Sequence, residues 1–273
     1  MEERESLALN TLKYKEGNAS TLNENTEYVT DVVIKELPSG FKGYPENTKI
    51  SYVPMTFEEI EALNSSEMDP ERAIAMLLKA IHCTTLPSYD LYYWDVMYIG
   101  IQRKLLAFGD TNGTLYKRCP KCGNLVSKSF SYTDLEFKEL EVPALPMRME
   151  LFGRKVEFGL LTIKAILEID PNDGELGVYA RLIRNIPFEE AFELVKKATG
   201  SDIKKLRFAD KQLNYGIKPF FVNCENPITV ESPNGKKTET CGQRVALEVR
   251  SPFEIVFPED ELSQFDEIEV QYG

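Results

Sequence analysis

Two cysteine pairs, far apart in the chain, limit what this sequence can fold into more than any other feature. Cys119 and Cys122 stand in RCPKCGNLV, while Cys224 and Cys241 bracket ENPITVESPNGKKTET between FFVNC and CGQRV. Reduced thiols are the default in a chain without a secretory signal, and there a C-x-x-C points to a metal or to redox chemistry. The redox reading needs the motif at the start of a helix, where the helix dipole lowers a thiol pKa. Here Cys-Pro-Lys-Cys-Gly-Asn runs into a strand, and the glycine after the second sulfur lets backbone amides turn toward both thiolates, as in the knuckle of a zinc ribbon.

Deleting ENPITVESPNGKKTET leaves strand, cysteine, Cys-Gly and strand, which repeats the pattern of the first knuckle. The deleted segment carries its own punctuation: Pro227, TVES, the turn PNGK, then KTET. It reads as a hairpin pushed out between two ligands that stay close in space. Cys119, Cys122, Cys224 and Cys241 are therefore expected to form one four-thiolate site for a structural Zn2+. Four protein ligands leave no open coordination position, so such a metal ties the chain and activates no water. Closing a loop of roughly a hundred residues costs free energy that grows only logarithmically with length, and structural zinc contributes about 10–16 kcal/mol in finger peptides. Cys83, in the apolar run AMLLKAIHC, is read as a packed thiol on a helix face, and His82 beside it as a packed histidine.

The rest of the 273 residues suits an α+β protein. EYVTDVVIKEL, with Val29, Val32, Val33 and Ile34, and KISYVPM read as strands. Thr56 and Glu59 form a capping box that opens a helix over TFEEIEAL. Asp69-Pro70 starts another, with Ala73, Ile74, Leu77, Leu78 and Ile81 as its apolar stripe. Leu91, Trp94, Tyr98, Ile101, Leu105 and Phe108 mark a third, closed by Gly109, and its tryptophan is expected in the core. RMELFGRKVEFGLL predicts a hairpin turning at Phe152-Gly153-Arg154. Helices follow over 161–215, one opened by Pro187 with Phe188, Ala191, Phe192 and Val195 on its apolar face, and strands return in KPFFVNC and RVALEVRSPFEIVF. The expected organisation is a flexible polar arm (1–26), a strand-plus-helix region (27–110) and a split zinc-ribbon β domain (111–160 with 217–258). A helical insertion (161–216) divides that domain, and an acidic tail (259–273) follows it. The fold class is thus α+β, with small antiparallel β elements including the split zinc ribbon and helical segments packed around it.

Composition narrows the function. A net charge of −12 argues against a groove that tracks phosphates, because such binding needs clustered Lys and Arg, so no nucleic acid is expected. The single histidine removes most relay chemistries, and no G-x-S-x-G, Walker A or H-E-x-x-H signature occurs. Carboxylate pairs such as Asp90 with Asp95, or Asp170 with Asp173, do not stand out among 44 acidic residues, so no enzyme and no small-molecule substrate are expected. MEERESLALNTLKYKEG lacks an apolar h-region and no run of about 18 apolar residues occurs, so neither a secretory signal nor a membrane span is expected. A zinc-ribbon adaptor for nucleic acid or the transcription machinery is the alternative reading. Lys117, Arg118, Lys121 and Lys128 cluster at the first cysteine pair and Lys236 and Lys237 at the hairpin tip, although the overall charge opposes it.

The order of VIKELPSGFKGYPENTKISYVPMTFEEIEAL, AIAMLLKAIHC, YDLYYWDVMYIGIQRKLLAFG and CPKC, over about a third of the chain, resembles the baseplate-hub protein family of contractile-tailed bacteriophages. In this resemblance Leu37, Pro38, Ser39, Gly40, Tyr52 and Pro54 match the opening signature, Asp95 and Arg103 the central helix, and Cys119 and Cys122 the cysteine pair. The N-terminal arm and the spread second cysteine pair depart from the family pattern. The resemblance implies a non-catalytic part in building the tail baseplate, with other tail proteins as partners. It also implies a place in the virion after assembly in the host cytoplasm.

Overall fold

The structure is a computed structural model that describes residues 31–63, 70–232 and 235–249. Several expectations lie outside the described residues: the arm at 1–26, Val29, the Asp69 start signal, the first two residues of the PNGK turn, the strand residues beyond 249, and the acidic tail. The described chain is α+β, and every strand pairing in it is antiparallel.

Strands β1 (Val32–Val33), β2 (Ile50–Tyr52) and β3 (Ile81–Cys83) form a small sheet in that order. Helix α1 (Phe57–Leu63) follows β2 and opens on the expected capping box. The Thr56 amide donates to Glu59 at 3.1 Å and the Glu59 amide donates to the Thr56 hydroxyl at 3.2 Å. Helix α2 (Pro70–Lys79) then leads into β3.

At β3 the structure differs from the sequence reading. The helix stops at Lys79, and Ile81, His82 and Cys83 alternate between buried and outward positions, opposite Tyr52, Ser51 and Ile50. Ile81 continued the helical stripe only because a short apolar run fits both periods. His82 is accordingly not packed: it is exposed and its Nδ1 lies 3.0 Å from the Asp31 carboxylate. Cys83 is half-buried on this strand, not on a helix, with its Sγ 3.7 Å from the Thr85 hydroxyl.

Helix α3 (Tyr93–Phe108) runs through the centre, with Val96, Met97, Ile99 and Ile101 buried together with the polar side chains of Asp95, Arg103 and Lys104. A helix covered on most of its circumference needs partners for its polar groups: Asp95 and Arg103 are hydrogen-bonded, and Lys104 Nζ lies over the Tyr132 ring, 4.0 Å from its centroid. It ends at Gly109, whose φ of 75° turns the chain out while its amide bonds Leu105. Trp94 packs against both large hydrophobic clusters: one around the first sheet, α2 and α3, the other around the later helices. A side chain at Gly216 would collide with the Trp94 indole, and Gly216 has φ +107°, so two independent constraints select glycine there.

Helix α4 (Ile163–Leu167) adds Ile163 to the first cluster, and the second joins hairpin β7 (Met147–Leu151) and β8 (Arg154–Phe158) to helices α5 (Gly174–Leu182), α6 (Phe188–Lys196) and α7 (Gly200–Leu213). Leu151, Val156 and Phe158 pack with Ala180, Ala191, Val195 and Leu206. Phe152 and Gly153 both take positive φ, 54° and 70°, the turn whose twist matches a two-residue hairpin. The expected apolar face of α6 is seen: Ala191 and Val195 are buried and the Phe188 and Phe192 rings lie 5.8 Å apart. Strand β6 (Phe137–Lys138) pairs with β9 (Gly216–Ile217), bringing the chain back beside α3 after the helices.

Candidate metal centre

The site is built on two hairpins. Strands β4 (Asn112–Arg118) and β5 (Leu125–Ser131) pair from Asn112↔Ser131 to Arg118↔Leu125, and the loop between them holds Cys119 and Cys122. Strands β10 (Phe220–Asn223) and β13 (Arg244–Leu247) pair from Phe220↔Leu247 to Asn223↔Arg244, and end at Cys224 and Cys241. Their apolar sides face each other: Leu115, Val126 and Phe130 are buried from one hairpin, Val245 and Leu247 from the other, and the Phe130 and Phe220 rings lie 5.2 Å apart.

The loops have matching backbone wiring. In the first, the Cys119 amide donates to Asn124 O at 2.8 Å and the Gly123 amide returns to Cys119 O at 2.8 Å. In the second, the Cys224 amide donates to Gln243 O at 2.8 Å and the Gly242 amide returns to Cys224 O at 2.9 Å. Gly123 and Gly242 both have positive φ, 75° and 65°, which the tight return requires. Cys224 thus occupies the place of Cys119, and Cys241 that of Cys122.

Between them, the inserted residues form their own hairpin, β11 (Pro227–Ser232) and β12 (Gly235–Thr240), with six cross-strand pairs from Pro227↔Thr240 outward. The Cys241 amide bonds Asn226 O at 2.9 Å, closing the base of the insert beside the sulfurs.

All four cysteines identified from the sequence are brought together, their sulfurs within 4.8 Å of one another. Cys119 Sγ lies 3.7 Å from Cys241 Sγ, and Cys122 Sγ 3.6 Å from Cys224 Sγ. These separations exceed a disulfide bond of about 2.05 Å, and all four thiols are free. They match the edge of about 3.8 Å for a tetrahedron whose metal–sulfur distance is about 2.3 Å. The donor set therefore fits a metal ion.

Polar groups around the sulfurs favour thiolates. The amides of Cys122 and Lys121 bond Cys119, that of Asn124 bonds Cys122, and that of Gln243 bonds Cys241. Asn226 Nδ2 lies 3.4 Å from Cys224 Sγ. Burial raises the Cys119 pKa, but the hydrogen bonds from the Cys122 and Lys121 amides, together with those from the Cys122 and Cys241 thiols, outweigh it and bring the thiol down to about 7. At Cys122 the Asn124 amide favours the thiolate, yet burial and the neighbouring sulfurs prevail and raise the thiol to about 12. Without a cation, the cluster readily holds a first negative charge and resists further ones, which is the electrostatic demand a divalent ion would meet.

Two lysines that the sequence reading placed at the first cysteine pair only as candidate nucleic-acid contacts, and an asparagine that it did not single out, lock the hairpins together. Lys121 Nζ donates to Cys241 O at 3.0 Å, Lys117 Nζ to Ala246 O at 2.8 Å, and Asn226 Nδ2 also reaches Leu125 O at 3.2 Å. The available signal was weak: an asparagine two places after both Cys122 and Cys224.

The residues that carried the family resemblance lie elsewhere in the fold and form a linked set. Asp95, wholly buried on α3, accepts the Ser39 amide at 3.0 Å and the Tyr44 hydroxyl at 2.9 Å, and Tyr44 Oη in turn accepts the Tyr92 amide at 3.0 Å. Arg103 donates from Nε to Val53 O at 2.7 Å and from Nη2 to the Glu59 carboxylate at 3.1 Å. Leu37 and Tyr52 are buried, and the Leu140 amide bonds Pro38 O at 2.9 Å. Asp90, Asp170 and Asp173 do not join Asp95 in any group of potential metal ligands among the described residues. No described helix is long and apolar enough to cross a membrane. The chain matches no family model, no curated protein and no solved structure.

Proposed function

We propose that this protein is a non-enzymatic structural or assembly component of a contractile-tail baseplate, held together by a structural zinc in a split ribbon. The convergence of Cys119, Cys122, Cys224 and Cys241 from two like-wired loops is the observation that carries the metal part. An all-thiolate tetrahedral donor set is the soft environment that zinc favours, and four protein ligands leave no position for a reacting water. The ion would join segments 102 positions apart, Cys122 and Cys224, and so hold the chain on either side of the helices.

The tail-assembly part rests on the resemblance, and the buried wiring supports it. Its scattered residues are physically coupled, Ser39 to Asp95 and the stretch around Pro54 to Arg103, as expected of a pattern that specifies a scaffold. The adaptor reading is disfavoured because Lys117, Arg118 and Lys121 all donate to backbone carbonyls of the site. Elemental analysis of the purified chain, expected to give about one zinc per molecule, tests the metal. Fractionation of tail particles and tail-assembly intermediates, probed for this chain, tests the role. Its absence from both would refute the baseplate reading.

A further inference from the structure

We propose that the outward face of α7 is a docking surface for the acidic segment 258–273 of this chain. Helix α7 buries Leu206, Ala209 and Leu213 on one side. At helical spacing of about 100° per residue, the opposite side carries Lys204, Arg207 and Lys211 along its centre, with Ile203 and Phe208 flanking them. Phe208 is 52% and Ile203 39% exposed, so large apolar side chains and cations share one face. Among the described residues none of Lys204, Arg207 and Lys211 forms an ion pair, Arg207 being hydrogen-bonded to the Tyr179 side chain, although the chain as a whole carries a charge of −12. Such a face attracts a ligand with the converse pattern, carboxylates interleaved with apolar groups.

Segment 258–273, PEDELSQFDEIEVQYG, has that pattern. Glu259, Asp260, Glu261, Asp266, Glu267 and Glu269 are interleaved with Leu262, Phe265 and Ile268. The connections bring it within reach. Leu247, close to the last described residue, pairs with Phe220, which follows the end of α7 by seven residues. The residues from Leu213 to Phe220 can span at most roughly 25 Å, whereas those from Leu247 to Pro258 can span roughly 36 Å. This assignment is independent of the metal and of the baseplate reading.

Zero-length carbodiimide coupling of the full chain, read by mass spectrometry, tests it. Amide links from Lys204 or Lys211 to carboxylates of residues 259–269 are expected in excess over links to Lys79 and Lys155, which are exposed elsewhere. Raising salt to about 0.5 M should reduce them several-fold, because screening shortens the range of the attraction. Isotope-mixed samples separate links within one molecule from links between copies, and either supports the surface. The Arg207→Glu variant should lower the yield at Lys204 and Lys211, with the circular dichroism spectrum reporting that the fold is retained. If that variant unfolds, Phe208→Ser serves in its place. Links spread evenly over exposed lysines, or none to α7, would overturn the proposal, as would a yield unchanged by salt and by substitution.

Discussion

The ammonium of Lys121 bonds the carbonyl of Cys241 at 3.0 Å, joining the first cysteine loop to the far ligand of the second. The two loops are therefore one unit, and their four ligands should behave alike. Cys224→Ser is expected to release the metal as fully as Cys119→Ser, and either should lower stability by several kcal/mol, since metal binding and folding are coupled. Zinc content and a urea titration of both variants check this. Retention of a full equivalent by Cys224→Ser would refute the pairing.

The matching backbone wiring yields a second expectation. Replacing residues 225–240 with Pro-Lys, the spacer of the first loop, removes the β11–β12 hairpin while keeping Cys224 and Cys241 as ligands. The shortened chain should hold as much zinc as the parent, and it should melt several degrees lower because Asn226 and its bonds to Leu125 O and Cys224 Sγ are lost. Loss of metal would mean that the insert positions the ligands, contrary to the wiring that Cys119 and Cys224 share.

Asp95 makes stability depend on pH. Burial raises its pKa from 3.8 to about 6, against the opposing pull of its hydrogen bonds from Ser39 and Tyr44. A folded value above the unfolded one means that the native state binds this proton more tightly. The stabilisation is therefore fully present below pH 3.8 and is lost as pH rises through about 6. Between about pH 5 and about pH 7 the loss amounts to about 1 kcal/mol. Urea midpoints at saturating zinc should show this difference in the parent but not in Asp95→Asn, and equal slopes in the two would contradict it.

Gly216→Ala should destabilise the protein by about 2–4 kcal/mol, because the methyl group meets the Trp94 indole and the backbone is in a region that alanine disfavours. The chain has a single tryptophan, so its emission reports the site directly. A red shift accompanying the loss is expected, and a parental spectrum with parental stability would rule the clash out.

Arg103 and Glu59 test the linkage between α1 and α3. Glu59 caps its own helix and also receives Arg103, which is 2% exposed. Glu59→Ala should therefore cost more than Thr56→Ala, which removes only the cap and about 1 kcal/mol. The excess should vanish in an Arg103→Met background if the ion pair accounts for it.

Much of this fold was legible locally. The capping box at Thr56, the glycine end of α3, the Phe152-Gly153 turn and the β11–β12 insert each follow from a few adjacent residues. The cysteine cluster was legible because sulfur has few roles in a reduced chain and the two loops share one pattern. The exit from α2 was not, since Ile81 suits either period and only pairing with Tyr52 decides it. Nor was the grouping of the β7–β8 hairpin with the later helices, which depends on side chains such as Phe158 and Val195 meeting across the second cluster. The buried partners of Asp95 and Arg103 were equally hidden, because Ser39, Tyr44 and Val53 lie about fifty positions away in sequence.

The stem of the inserted hairpin begins and ends beside the four-cysteine cluster, with Pro227 opposite Thr240. Foreign sequence grafted between β11 and β12 would enter and leave through one fixed pair of neighbouring points. Peptides displayed there would be anchored without circular permutation or fusion to either end, which makes this stem a natural port for engineering.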